Sequence, residues 1–197
     1  MSIYIIDNYD SFTYNIVQLV ARLSDSEVKT IYNDEMTFSQ LKGKKPEGIV
    51  ISPGPGHPAN RSDFGICTEI LKRREELNCP ILGICLGHQG IALSFGATIG
   101  PAENVVHGKA STLSQTYPSQ LFRGIPESFK AIRYHSLIVA KDSLPDQLMI
   151  TAIDEKTGQI MAIQHKKEPL YGLQFHPESI GTYYGEKIVE NFAALCR

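Results

Sequence analysis

A chain of 197 residues, 42% hydrophobic and 20% charged, is long enough to bury one substantial core and argues for one domain. Its formal net charge of −2 excludes the basic footprint of a nucleic-acid binder. No apolar run approaches the roughly 20 residues that span a bilayer, and residues 1–7 lack the basic start of a signal peptide. The four cysteines, without metal-type spacing, read as reduced thiols of a cytoplasmic protein.

In chain order, residues 2–6 form an apolar strand candidate. Asp10 and Ser11 can cap a helix behind it, in which Ile16, Val17, Val20 and Leu23 recur at helical spacing. Residues 28–32 predict a second strand. Residues 48–52 predict a third, apolar on both faces as a central parallel strand must be. Residues 64–76 predict a helix that ends in the charged stretch 72–76. A fourth strand is expected over 81–84 and a helix over 86–95. This alternation argues for a parallel sheet with helices on both faces. The later sequence changes character. Residues 110–114, 129–133, 137–140, 149–153, 160–165 and 171–175 predict short strands, with a hairpin connection at 154–158. A helix over 186–195 closes the pattern. The expectation is a single α/β domain over residues 1–197. It has an open, mostly parallel central sheet flanked by helices and a smaller antiparallel strand region in its C-terminal half.

Four segments carry chemistry. Gly83-Ile84-Cys85-Leu86-Gly87 stands where a strand turns into a helix. A cysteine between nearby glycines at such a turn has the layout of a nucleophile elbow. The positive end of the helix favours its thiolate. Alone, the pentapeptide fits a small buried cysteine at a strand end equally well. The second segment is Phe175-His176-Pro177-Glu178-Ser179. If the chain is extended there, His176 and Glu178 share a side. A histidine that takes the thiol proton and a carboxylate that holds its tautomer suit that placement. His-x-Glu tripeptides are common, so the weight lies in the combination Cys85, His176, Glu178 as a candidate triad.

The third segment, Ser52-Pro53-Gly54-Pro55-Gly56-His57-Pro58, follows the third strand and exposes bare backbone. An acyl-transfer site needs N–H donors aimed at a developing oxyanion. Leu86, after the nucleophile, supplies one; Gly56 is the choice for the other, since proline has no N–H. The plain alternative is a strand-to-helix turn. No Gly-Lys-Ser/Thr follows, so this is not a phosphate loop. The fourth segment, Arg133-Tyr134-His135-Ser136-Leu137, is expected in a loop between strands. His135 lacks a carboxylate two residues on and ranks below His176. His57, His88, His107 and His165 lack ligand spacing, and no metal is expected.

Together these motifs resemble those of the class I (triad-type) glutamine amidotransferases. The nearest likeness is to the family of anthranilate synthase component II and the para-aminobenzoate synthase amidotransferase subunit. The resemblance also takes in Asp7-Asn8-Tyr9-Asp10-Ser11-Phe12-Thr13-Tyr14-Asn15, Gly87-His88-Gln89 and His107-Gly108-Lys109, and so spans essentially the whole chain. It implies Cys85 as nucleophile, His176 and Glu178 as its partners, and Gly56 and Leu86 as oxyanion amides. It further implies that Gly54, Pro55, Gly56, Gln89, Ser136 and Leu137 hold L-glutamine. Ammonia would pass to a larger chorismate-using synthase subunit, anthranilate synthase component I or aminodeoxychorismate synthase component I. No cofactor is implied in this chain; Mg²⁺ is expected on the synthase partner. No nucleic acid or membrane is implied.

Two positions depart from the family pattern. Gly90 stands where alanine is usual and should soften its helix by up to about 1 kcal/mol. Gly181 replaces a larger apolar residue. Because free ammonia is mostly protonated at neutral pH, the lone chain is expected to be a poor glutaminase, completed by its partner. Competing readings are a free-standing cysteine peptidase or γ-glutamyl hydrolase, a GMP synthetase amidotransferase subunit, and an idle regulatory subunit. The intact Cys85, His176 and Glu178 argue against the last.

Overall fold

The computed structural model describes residues 2–196, and their side chains except those of 103–106. The strands in chain order are β1 (Ser2–Asp7), β2 (Glu27–Tyr32), β3 (Gly48–Ile51), β4 (Ile81–Ile84), β5 (Ile99–Gln115), β6 (Ser128–Val139), β7 (Leu148–Asp154), β8 (Ile160–His165) and β9 (Leu170–Leu173). The helices are α1 (Thr13–Leu23), α2 (Phe38–Gly43), α3 (Arg61–Phe64), α4 (Cys67–Lys72), α5 (Leu86–Ser94) and α6 (Gly185–Leu195). All nine strands join one sheet in the order β2-β1-β3-β4-β9-β8-β7-β5-β6. From β2 to β9 the neighbours run parallel. From β9 to β6 they run antiparallel. The expected α/β architecture is therefore present.

Strand alternation divides the core in two. On one face Ile3, Ile5, Val50, Leu82 and Ile84 pack with Ile16 and Val20 of α1 and Ile188 and Phe192 of α6. On the other, Tyr4, Ile6, Ile49, Ile51 and Ile81 pack with Phe38, Leu41, Phe64, Ile70 and Ile91, from α2, α3, α4 and α5. Strands β1, β3, β4 and β9 are buried throughout, as strands covered on both faces must be.

Three expectations need correction. The helix expected over 64–76 is broken. Gly65 takes φ +43° and lies so close to the carbonyl of Asn33 that a Cβ there would overlap it. The segment therefore becomes α3, α4 and a 3-10 turn over Arg74–Glu76. Helix α2 went unnoticed, though Thr37 and Gln40 form a reciprocal capping box at its start. Finally, 129–133 and 137–140 are not two strands with a loop between. They belong to the continuous β6, paired with a β5 of 17 residues.

Both departures from the family pattern have a packing reason. A Cβ on Gly90 would overlap the ring of Phe64, which is almost wholly buried. A Cβ on Gly181 would crowd the end of the Ile132 side chain. Gly90→Ala gains helix propensity of about 1 kcal/mol but must displace a rigid core ring, which costs about 1–3 kcal/mol. The variant is expected to be less stable than the parent by about 1 kcal/mol in urea denaturation. A more stable variant would show that Phe64 moves aside freely.

Candidate active site

The turn from β4 into α5 is forced into its shape by two glycines. A Cβ on Gly83 would meet the backbone of Gly87 at 2.5 Å, and one on Gly87 would meet the carbonyl oxygen of Ile51 at the same distance. Between them Cys85 adopts φ +50°, a left-handed conformation rare for a side-chain-bearing residue and typical of strained functional turns. Its N–H donates to the Leu173 carbonyl at 2.7 Å, which ties the elbow to β9. The side chain stands at the N-terminus of α5, where unpaired N–H groups favour an anion.

The neighbours of β4 bring the other candidates to it. Strand β3 lies on one side and delivers 54–56; β9 lies on the other and delivers His176 and Glu178. His176 is held by its N–H, which donates to Ile132 O of β6 at 3.0 Å. The chain then turns, with Ser179 N–H donating to His176 O at 3.3 Å. This turn, rather than an extended segment, carries Glu178 back to the ring. Glu178 Oε1 lies 2.6 Å from His176 Nδ1, with both side chains buried. His176 Nε2 is buried without a hydrogen-bond partner among the described residues, and Cys85 is close enough to raise the basicity of the ring. Such contacts are often long before substrate arrives. Burial lowers the basicity of His176, but the negative charge available on the Cys85 sulfur and that of Glu178 outweigh it, and the imidazole is pushed up to about 10.

A pocket of about 130 Å³ opens over Cys85. Gly54, Pro55, Gly56, Leu86, Gln89, Ser136 and Leu137 line it, together with Tyr134 and His135. All the residues expected to hold substrate therefore meet at one place. Larger grooves, of about 640 Å³ beside α2 and about 940 Å³ around Glu47 and Cys79, lie away from Cys85. The 54–56 loop is braced from behind. Asp63 accepts from His57 N–H at 3.0 Å, and its carboxylate sits where a Cβ of Gly56 would be. Gly56 itself has φ +86°. Asn8 bonds Ser52 twice, each at 2.9 Å.

The Arg133–Leu137 motif of β6 divides between two roles. Arg133 points away into a buried ion pair with Asp154 at 3.4 Å and serves the fold. Tyr134 packs its ring edge-on to His176 at 5.0 Å and stacks on Phe12 at 5.7 Å. His135 lines the pocket, but burial, with the charges of Arg133 and His176 adding to it, lowers its pKa to about 4. It is therefore neutral and unsuited to replace His176. His88 is wholly buried beside Gly172, lowered to about 3 by burial. The sequence reading missed Tyr134, Asp63 and Gln174. Only the Gln174 position directly before Phe175-His176 hinted at its nearness to the site.

The description of glutamine amidotransferase class-I fits residues 4–196. The chain belongs to the class-I glutamine amidotransferase family. Among relatives of this amidotransferase, anthranilate synthase component 2 of Methanothermobacter marburgensis is 47% identical over 197 residues, covering 98% of each chain. Aminodeoxychorismate synthase of Streptomyces griseus is 43% identical over 191 residues, which is 97% of this chain and 25% of that one. Among solved structures, a candidate GMP synthase subunit from Thermoplasma acidophilum superposes with a TM-score of 0.86 at 31% identity. It is matched over 94% of its length by all of this chain. Among the described residues of the amidotransferase, no group of three or more His, Cys, Asp or Glu could hold a metal ion. No helix there is long and apolar enough to cross a membrane.

Proposed function

We propose that this amidotransferase is the glutamine-hydrolysing subunit of an anthranilate synthase. The observation that carries the chemistry is the meeting of Cys85, His176 and Glu178 beside the pocket formed by 54–56, Gln89 and 136–137. With the thiol proton held on His176 Nε2, Cys85 Sγ attacks the amide carbon of L-glutamine. The N–H groups of Gly56 and Leu86 receive the charge that gathers on the amide oxygen. Leu86 is the first residue of α5, so its N–H is free of helix bonds. Collapse of the tetrahedral intermediate breaks the C–N bond. His176 returns the proton to the departing nitrogen, which leaves as ammonia. Water, activated by the same histidine, hydrolyses the γ-glutamyl thioester to glutamate and restores the thiol.

Gln89 offers substrate its carbonyl oxygen, since its amide nitrogen already bonds Leu137 O and Gln174 Oε1. Ser136 and the 54–56 backbone supply the remaining polar lining. Ammonia is delivered to a chorismate-using synthase subunit, which carries the Mg²⁺; the setting is the cytoplasm. The 47% identity to anthranilate synthase component 2 supports this partner. Its rival is an aminodeoxychorismate synthase partner, favoured by the 43% identity to the Streptomyces griseus protein.

Reconstitution separates them. The chain is mixed with each chorismate-using subunit of its own organism, chorismate, Mg²⁺ and glutamine, and the aromatic product is identified. Anthranilate is the expected product. Aminodeoxychorismate alone would move the assignment to the rival, and both would mean a shared subunit. Neither, where ammonia supports synthesis, would overturn the partner assignment. The lone chain is expected to hydrolyse glutamine poorly; full activity at low glutamine without a partner would overturn that expectation.

A further inference from the structure

Besides His176, two polar groups face Cys85 Sγ. The carbonyl of Tyr134 lies 3.7 Å away, placed to accept from a thiol. The side chain of Gln174 lies on another flank, its Nε2 donating to Sγ at 3.5 Å. Gln174 is wholly buried between β9 and His176, and its backbone N–H donates to Met161 O at 2.8 Å.

The way the Gln174 amide faces is dictated by its neighbours. Gln89 Nε2 lies 3.0 Å from Leu137 O and 3.1 Å from Gln174 Oε1. A backbone carbonyl only accepts, so Leu137 O demands the nitrogen end of Gln89. The second N–H of Gln89 then demands the oxygen end of Gln174. What remains toward sulfur is the Gln174 NH₂. Reversing Gln89 would set acceptor against acceptor, and reversing Gln174 would set donor against donor, in a buried site.

We infer that Gln174 stabilises the thiolate of Cys85, oriented for it through Gln89 by the carbonyl of Leu137. This rests on Cys85 being the nucleophile, as proposed above. A donor to sulfur bonds the anion more strongly than the neutral thiol, because the bond becomes charge-assisted. The Tyr134 carbonyl acts oppositely and favours the thiol. The other ionisable groups of the site act through His176: Glu178 in the same turn, Asp10 before α1, and His135 on β6. All of them, and the N-terminus of α5, stay in place when Gln174 alone is changed.

The test is the pH dependence of Cys85 alkylation by iodoacetamide, followed by mass spectrometry of the Cys85 peptide. Gln174→Met is expected to raise the pH midpoint by about one unit and to slow alkylation at neutral pH by up to about tenfold. Gln89→Met, which releases the orientation, should shift it the same way by less. Thermal melting reports whether each variant folds. If Gln174→Met does not fold, Gln174→Asn keeps a buried amide but withdraws its N–H from sulfur, and should shift the midpoint upward too. An unchanged midpoint in a folded Gln174 variant overturns the inference. A parent Cys85 that alkylates at neutral pH no faster than a free thiol would instead overturn its reading as the nucleophile.

Discussion

Cys85→Ser should abolish glutamine-dependent synthesis by the reconstituted complex while leaving ammonia-dependent synthesis intact. The loss is expected to be about 10³-fold or more, since residual catalysis without a nucleophile comes only from binding and the oxyanion donors. A hydroxyl in place of the thiol is far less readily ionised, and the site supplies its base for a thiol. The variant should still fold, because the left-handed turn is imposed by Gly83, Gly87 and the Cys85 N–H to Leu173 bond, none of which involves the sulfur. Both activities are read in one assay by exchanging glutamine for ammonium salt. Unchanged glutamine-dependent activity would remove Cys85 from the chemistry. Loss of both activities together would indicate a damaged complex rather than a missing nucleophile.

Glu178→Gln is expected to lower glutamine turnover by about 10²–10⁴-fold, with an altered pH profile. The carboxylate accepts from His176 Nδ1, which leaves Nε2 free to take the thiol proton. A carboxamide can present N–H to Nδ1 instead, which selects the tautomer that cannot act as base. The sign of the pH effect follows from the same contact. Burial alone would lower the His176 pKa; the negative charge available on the Cys85 sulfur and that of Glu178 raise it to about 10. The imidazolium that protonates departing ammonia is present at lower pH and lost as pH rises through the His176 pKa, which Glu178 alone holds up once Cys85 is bonded to substrate. Without the Glu178 charge the raising influence shrinks, so the alkaline limb of the residual activity should move to lower pH. An alkaline limb that stays in place would mean that another group sets it.

The parallel half of the sheet was legible because each element carries its own local signal. Residues 81–84 and 48–52 are apolar on both faces, and Gly83 and Gly87 announce a turn that only bare backbone can make. The nearness of the candidate residues Cys85, His176 and Glu178 was legible for a related reason: they follow the ends of adjacent strands, β4 and β9, so short motifs sufficed. What escaped depends on distant pairing. Arg133–Leu137 is polar enough to read as a loop, yet its ladder with β5 keeps it extended. The break at Gly65 comes from Asn33, 32 positions earlier, and no local pattern records it. Gln174 reads as one polar residue at a strand end, until Gln89 and Cys85 are placed beside it.

The order in which the site's parts occur along the chain has a consequence for a cell making this protein. The elbow emerges from the ribosome early, but the Tyr134 carbonyl that faces its sulfur comes 49 residues later and the Gln174 amide 89 residues later. His176 and Glu178 follow β9 itself. Contacts closed over such spans form late, because the intervening chain must first be ordered. A nascent or prematurely truncated chain thus carries Cys85 without the base and the donor amide proposed for it. With those roles, it is not expected to squander glutamine before the last strand has docked.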